Sequence, residues 1–349
     1  MRLLVTGGAG FIGSYFVRQW LANHPEDKVV VLDALTYAGH LENLKTVAQN
    51  PNFEFKRGDI RVKNDVDGAM AGVDVVVHFA AESHVDRSIV GPTDFATTNV
   101  DGTLALLQSA TENRVRLFHH VSTDEVFGSL PLDRPDVKFN EDTPYHPHSP
   151  YSASKAASDH FVRAYFDTYG LPITITNTSN NYGPNQDPEK FIPRSVTNLL
   201  VGEKILLMGR GENVRDWIHV GDHCTAIEMI IEAALNGREG IVGETFCVGA
   251  NSEMTNLQVA EELLRLVGKD DSWIDYIPHR LGHDARYAIA ASKIEERLGW
   301  RPEHTFKEGL RETVQWYRQN EWWWKPLKEG RPNIDPEIQR LFSLSRERK

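Results

Sequence analysis

Apolar and polar positions form two alternating kinds of segment over the first half of the chain. The apolar runs are apolar at successive rather than alternate positions, which is typical of strands that helices cover on both faces. Amphipathic stretches of helical length separate them, as crossover connections between parallel strands require. The pattern therefore predicts an α/β fold with a doubly wound parallel sheet. The predicted strands lie at 3–6, 29–33, 53–56, 73–79, 117–122 and 173–177.

The pattern becomes less regular after Tyr182, where Gly, Asn and Pro interrupt shorter apolar segments. Such punctuation marks turns between small elements. The length of 349 residues suits two unequal units. We expect a larger domain at 1–180, which carries the candidate catalytic residues, and, at 181–349, mainly a smaller C-terminal substrate-binding lobe. The boundary is approximate, since a segment after residue 182 could rejoin the sheet. Helices are predicted at 222–236, 255–267, 292–298 and 306–320.

A glycine-rich motif, TGGAGFIG at 6–13, follows the first predicted strand and opens a helix. Its glycines allow a tight turn and a close approach of the backbone to a pyrophosphate, which the helix N-terminus attracts. Asp33 ends the second strand, where a carboxylate accepts hydrogen bonds from ribose hydroxyls. Ala34 and Leu35 follow instead of the Arg or Lys that a 2′-phosphate needs. The motif predicts a Rossmann domain that binds NAD rather than NADP.

Other residues of this site are predicted from their place at the carboxyl ends of the strands, where open α/β sheets bind ligands. A structural glycine turn is the alternative interpretation, but strand, glycines, helix and acid all occur in register. The predicted cofactor-binding residues up to this point are Gly7, Gly10, Phe11, Ile12, Gly13, Asp33, Leu35, Thr36, Asp59, Ile60, Phe79, Ala80 and Ala81.

The segment SPYSASK at 149–155 begins with a helix N-cap residue and a proline at the first helical position. Tyr151 and Lys155 therefore lie on one helical face. A nearby ammonium lowers the pKa of a phenol, which would let Tyr151 remove a proton from a sugar hydroxyl. A Tyr and a Lys four residues apart are weak evidence alone. Beside a dinucleotide motif, and with Thr123 at the end of the fifth strand, they predict a catalytic site.

Asp124 and Glu125 follow Thr123 directly. Adjacent acids are most often a solvated surface. An elimination of water, however, needs one group to take a carbon-bound proton and another to protonate the departing hydroxyl. Two carboxylates at one strand end can divide these roles if their surroundings separate their pKa values.

Composition excludes several other classes of function. The net charge of −11 is opposite to the basic surface that a nucleic-acid polymer requires. The two cysteines, Cys224 and Cys247, lack the spacing of a disulfide framework or a metal site. No apolar run reaches the ~18 residues of a membrane span. We expect a cytoplasmic protein without a bound metal and without a membrane partner.

Several motifs together resemble those of the extended short-chain dehydrogenase/reductases, and within them the dTDP-glucose 4,6-dehydratases. They include TGGAGFIG at 6–13, HFAAESHVDRS at 78–88, VSTDEVFG at 121–128, PYSASKAASDH at 150–160, SNNYGPNQDPEKFIP at 179–193 and GHDARYAI at 282–289. The resemblance implies an NAD-dependent hydro-lyase that converts dTDP-glucose to dTDP-4-keto-6-deoxyglucose. In such an enzyme Tyr151, Lys155 and Thr123 serve oxidation at C4, Glu125 removes the C5 proton, and Asp124 protonates the C6 hydroxyl.

The resemblance also implies further site residues. Thr98 and Asn181 join Tyr151 and Lys155 on the cofactor side. His279 and Ala290 depart from the residues that are common at these positions in the family. The implied substrate-binding residues are Ser83, Thr123, Asn180, Lys190, Phe191, Arg215, Asn256, Arg280 and His283.

Three alternatives remain open at this point. The first is a dehydratase for UDP-glucose or another NDP-glucose. An NDP-sugar 4-epimerase would stop after oxidation and re-reduction at C4, and would not need Asp124 and Glu125. A non-catalytic NAD-binding protein would have lost part of the Thr123, Tyr151 and Lys155 set. Because the helices near 99–112 and 150–169 carry apolar residues beyond one core-facing stripe, we also expect a homodimer.

Overall fold

A computed structural model describes residues 1–329, 331 and 332. Its centre is a sheet of seven parallel strands. They are β1 Arg2–Thr6, β2 Lys28–Asp33, β3 Phe53–Arg57, β4 Val75–His78, β5 Leu117–Thr123, β6 Ile173–Thr178 and β10 Thr245–Val248. Their order across the sheet is β10-β6-β5-β4-β1-β2-β3. The doubly wound sheet predicted from the apolar runs is confirmed, and all six predicted strands belong to it.

Helices cover both faces of this sheet. One face packs on the helices that contain Phe16 and Ile227, and the other on helices that contain Leu106 and Val162. Val75, Val76 and Val77 of β4 are all fully buried, which explains why this strand is apolar at successive positions. The helices of this half are α1 Phe11–Asn23, α2 Lys63–Met70, α3 Val85–Val90, α4 Pro92–Phe95, α5 Gly102–Glu112 and α6 Pro150–Tyr169, with a π-helical segment at Ala96–Asp101 before α5.

The C-terminal half builds a third core around two small sheets. Trp217, Tyr182 and Phe306 pack ring against ring within it. The strands are β7 Asn180–Tyr182, β8 Ile205–Met208, β9 Val214–His219, β11 Glu253–Thr255 and β12 Ile274–Ile277. The helices are α7 Phe191–Leu200, α8 Val220–Leu235, α9 Asn256–Val267, α10 Ser292–Leu298, α11 Phe306–Gln319 and α12 Glu321–Lys328, and among the described residues none of the helices is long and apolar enough to cross a membrane.

The chain returns to the central sheet after residue 182. Strand β10 pairs in parallel with β6, with Cys247 opposite Asn177. Helix α8 packs beside α1 and contributes Ile227 to the same core. The division into units at 1–180 and 181–349 stays a prediction. Its approximate boundary allowed for this return, and the last part of the second unit lies outside the described residues.

Candidate active site

The glycine-rich loop between β1 and α1 lies against the start of the chain segment that follows β4. Gly7 has a φ of +69°, and a Cβ added there would lie 2.6 Å from the backbone N of Ala80. A Cβ on Gly13 would lie 2.4 Å from the carbonyl oxygen of Gly7. Gly10 caps α1 without a side-chain hydrogen bond, so the first amides of the helix have no side-chain acceptor there. The loop therefore offers the close, uncapped backbone that fits a pyrophosphate.

Asp33 holds this loop from the end of β2. One carboxylate oxygen accepts a hydrogen bond from the amide of Ala9 at 2.9 Å, and the other accepts one from the amide of Leu35 at 2.8 Å. Burial raises the pKa of Asp33, and the two backbone hydrogen bonds oppose that rise. The carboxylate is thereby fixed at the cavity wall, where the ribose hydroxyls of a dinucleotide would reach it.

A cavity of about 340 Å³ runs along the carboxyl ends of the strands from this loop to Tyr151. All but one of the residues predicted to bind the cofactor line this cavity. The exception is Leu35, which does not line the cavity and whose amide instead binds Asp33. The lining residues predicted from the sequence are Gly7, Gly10, Phe11, Ile12, Gly13, Asp33, Thr36, Asp59, Ile60, Phe79, Ala80, Ala81, Thr98, Tyr151, Lys155 and Asn181.

Helix α6 carries Tyr151 and Lys155 into the far end of this cavity. Ser149 and Ser152 form a reciprocal capping box, and Pro150 occupies the first helical position, so the helix begins where the motif predicts. The Lys155 ammonium donates a hydrogen bond to the carbonyl oxygen of Val121 at 2.8 Å. Burial lowers the pKa of Lys155 to about 8.

The electrostatics of Tyr151 differ from the sequence-based expectation. Burial and the nearby carboxylate of Glu125 raise the pKa of Tyr151 above its ordinary value, while the Thr123 hydroxyl lowers it through a hydrogen bond. The expected lowering by Lys155 is not the dominant effect, because burial outweighs it and the ammonium binds the carbonyl of Val121. In this state Tyr151 is a neutral phenol.

Asp124 and Glu125 begin a short 3-10 turn, Asp124–Phe127, that directly follows β5. Asp124 is 1% exposed, and one of its carboxyl oxygens has no hydrogen-bond partner among the described residues. Burial and the charge of Glu125 raise its pKa well above the ordinary value. Burial also raises the pKa of Glu125, but the guanidinium groups of Arg280 and Arg215 oppose the rise. The surroundings therefore favour a protonated Asp124 and a more acidic Glu125.

A second cavity of about 190 Å³ adjoins the first. Residues that line both cavities include Ser83, Glu125, Asn180 and Lys190, so the two cavities meet beside the acidic pair. Thr123 lines only the first cavity. The residues of the second cavity that the resemblance implied are Ser83, Asn180, Lys190, Phe191, Arg215, Asn256, Arg280 and His283.

The second cavity has a basic wall in an otherwise acidic protein. Arg215 is 5% exposed, and its guanidinium stacks on the ring of Tyr287 at 4.1 Å and binds the carbonyl oxygen of Asp284 at 3.0 Å. Burial and the charge of Arg280 lower the pKa of His283, which keeps that imidazole neutral. Fixed guanidinium groups of this kind suit a diphosphate.

Some lining residues had no role in the sequence-based interpretation. Arg61 lines the first cavity and pairs with Asp59 at 2.6 Å. Tyr287 lines the second, and its hydroxyl lies 3.5 Å from a carboxylate oxygen of Glu125. Tyr287 stands in the motif GHDARYAI, but the motif alone does not reveal that it contacts a residue far away in sequence.

Comparisons with known proteins agree with this geometry. The family model for GDP-mannose 4,6 dehydratase matches residues 4–313. The dTDP-glucose 4,6-dehydratase of Mycobacterium tuberculosis is 51% identical over 331 residues, which cover 95% of this chain and 97% of that protein. The chain belongs to the dTDP-glucose 4,6-dehydratase family. The resemblance inferred from the motifs is confirmed.

Solved structures of dTDP-glucose 4,6-dehydratases are similar over the same extent. DesIV from Streptomyces venezuelae, solved with NAD and TYD bound, has a TM-score of 0.89 and 50% identity, covering 94% of this chain and 100% of DesIV. The enzyme from Bacillus anthracis, in complex with NAD, has a TM-score of 0.85 and 47% identity, with 94% and 100% covered. The glycine cradle and Asp33 of this chain thus lie in a fold whose relatives bind NAD.

Proposed function

We propose that this protein is an NAD-dependent hydro-lyase that converts dTDP-glucose to dTDP-4-keto-6-deoxyglucose. The observation that carries the proposal is the position of Asp124 and Glu125. Glu125 lines both the cofactor cavity and the basic second cavity, and Asp124 lines the cofactor cavity together with Tyr151. A sugar placed there would meet an oxidising site and an acid–base pair together.

Oxidation at C4 is assigned to Tyr151, Thr123 and Lys155. The glycine loop and Asp33 would hold NAD, which would supply the hydride acceptor for C4 and the hydride donor for C6. Thr123 orients the C4 hydroxyl and shares a hydrogen bond with Tyr151. Because Tyr151 is a neutral phenol, it must give its own proton to solvent through the cavity that it lines before it accepts the proton from C4–OH. Lys155, whose ammonium is held at the carbonyl of Val121 one helical turn from Tyr151, supplies the neighbouring positive charge for that step.

Elimination is assigned to the acidic pair. The ketone at C4 acidifies the C5 proton, which Glu125 removes, and Asp124 gives its proton to the C6 hydroxyl as water leaves. The partnerless oxygen of the buried, protonated Asp124 suits a proton donor. The cations beside Glu125 suit a base that is ionised before it acts.

Product analysis tests the assignment. Purified protein is incubated with dTDP-glucose, UDP-glucose and GDP-glucose in separate reactions, and products are identified by mass and by proton NMR. We expect loss of water from dTDP-glucose at the highest kcat/KM, and no loss with Tyr151→Phe. Conversion to an epimer of unchanged mass would instead support the 4-epimerase, and a preference for another base would overturn the substrate assignment.

A homodimer is part of this proposal. Helix α6 exposes Phe161 and Tyr169, which are 39% and 61% exposed, on the outside of the central sheet. Exposed apolar side chains on α6 support a bundle in which α5 and α6 of one subunit pack on the same helices of a second subunit. Light scattering should give twice the monomer mass, and Phe161→Glu should reduce it. A parental monomer at micromolar concentration would contradict the dimer.

A reducing cytoplasm is the proposed site of action. Cys224 and Cys247 are both free and buried. Burial raises the pKa of each thiol, which keeps them unreactive. Localisation of a fluorescent fusion tests the compartment, and export of the fusion would contradict it.

A further inference from the structure

A row of hydrogen-bonded groups leads from Glu125 to the protein surface. The hydroxyl of Tyr287 lies 3.5 Å from one Glu125 oxygen and donates to Asp284 at 2.5 Å. The other oxygen of Asp284 lies 2.6 Å from Nδ1 of His148. Nε2 of His148 lies 2.9 Å from Nδ1 of His146. The groups alternate between acceptors and donors, as proton transfer along a chain requires.

The row begins in the interior and ends in water. Tyr287 is 1% exposed and Asp284 is 5% exposed, whereas the side chain of His148 is 35% exposed. His146 is exposed as well. Burial and the charge of Glu125 raise the pKa of Tyr287 well above its ordinary value, so its hydroxyl stays protonated and able to relay. This is the order of exposure expected of a path between a buried base and solvent.

The row departs from the cavities after Tyr287, which lines the second cavity together with Glu125. Glu125 lines both cavities, so bound substrate and cofactor would cover it from the open cleft. The next groups of the row, Asp284, His148 and His146, line neither cavity. With the cleft filled, the hydroxyl of Tyr287 is a protein group through which Glu125 still reaches water.

We propose that Tyr287, Asp284 and His148 form a proton relay that exchanges the proton on Glu125 with solvent during turnover. The proposal rests on the proposed function, in which Glu125 takes the C5 proton. Protonated Glu125 passes that proton to the oxygen of Tyr287 as the Tyr287 proton moves to Asp284, and Asp284 hands one on to His148 and water. The reverse sequence returns a solvent proton to Glu125 for delivery to C5. In either direction one proton enters the row at one end and one proton leaves it at the other, and no electrons are transferred.

The isotope at C5 of the product measures this exchange. The holoenzyme turns over dTDP-glucose in D₂O, the reaction is stopped early, and the ketone is reduced at once with borohydride to prevent exchange in free solution. The parental enzyme should place solvent deuterium at C5. Tyr287→Phe keeps the ring that stacks on Arg215 and removes only the hydroxyl. In Tyr287→Phe the substrate's own hydrogen should be retained at C5, with retention rising at least severalfold, and His148→Gln should raise it less.

A matched histidine serves as the control. His160 is also exposed, on α6, and lies outside the row, so His160→Gln should incorporate deuterium as the parental enzyme does. A merely structural role for Tyr287 predicts slower turnover with an unchanged deuterium fraction. That result in Tyr287→Phe, or parental incorporation in both relay variants, overturns the relay. Absence of water loss by the parental enzyme would instead reject the proposed function.

Discussion

Replacing Glu125 with Gln should separate oxidation from elimination. The amide has nearly the shape of the carboxylate but cannot take the C5 proton. Tyr151, Thr123 and Lys155 are unchanged, so C4 oxidation should still proceed. We expect the variant to stop with reduced nicotinamide and a bound 4-keto-glucose nucleotide.

The size of the effect follows from the role of Glu125. Removal of a general base typically slows the affected step by about 10²- to 10⁴-fold, which is about 3–5 kcal/mol of barrier. The loss should lie towards the upper end, because the adjacent acid cannot substitute. Asp124 is buried and its pKa is raised well above the ordinary value, so it is protonated when a base is needed.

Stopped-flow absorbance of the reduced nicotinamide is the assay. The signal should rise at a rate near the parental oxidation step, reach close to one equivalent per active site and persist. Tyr151→Phe is the control that should give no signal. If Glu125→Gln completes dehydration at the parental rate, or if solvent deuterium still enters C5 at that rate, Glu125 is not the base.

Four other outcomes are expected. Asp124→Asn should oxidise C4 but eliminate water more slowly by about 10²-fold or more, because an amide is a poor proton donor. Rapid-quench mass analysis measures the elimination, and an unchanged rate would contradict the role of Asp124 as the acid. Arg215→Ala should raise KM by about 10- to 100-fold with little change in kcat, as loss of a charged hydrogen bond predicts; an unchanged KM would place the phosphate charge elsewhere. Denatured protein should release NAD, and NADP in comparable amount would contradict the assignment of Asp33. Burial lowers the pKa of Lys155 to about 8, so its ammonium loses a proton as the pH rises through that value, and kcat/KM should fall there. A pH profile of kcat/KM that stays flat from neutral pH to well above 8 would contradict the need for that charge.

The sequence was informative where local chemistry and periodicity decide the structure. A few adjacent residues determine the local geometry of three features of the site. These are the glycine loop, Asp33, and the capped helix that contains Tyr151 and Lys155. The apolar runs identified the strands because a sheet covered on both faces leaves no polar alternation. These features place the reactive groups at one edge of the sheet.

Contacts between distant segments could not be read in the same way. The pKa of Tyr151 depends on how deeply the fold buries it, and burial proved stronger than the lysine four residues away. The contact of Tyr287 with Glu125 joins residues 162 positions apart, and no local pattern encodes it. The return of β10 to the sheet is likewise set by pairing with β6 after a long excursion.

Strand β10 comes late in the chain but pairs with β6 at the edge of the central sheet. This pairing limits how this enzyme can be recombined with its relatives. In a chimera joined once near residue 180, β10 and α8 would come from one parent, and β6 and α1, which they contact, from the other. Cutting the chain there would leave β6 as an apolar edge, open to aggregation. Exchange of nucleotide specificity by segment transfer therefore needs several crossovers, with 220–235 and 245–248 kept from the parent that supplies the sheet.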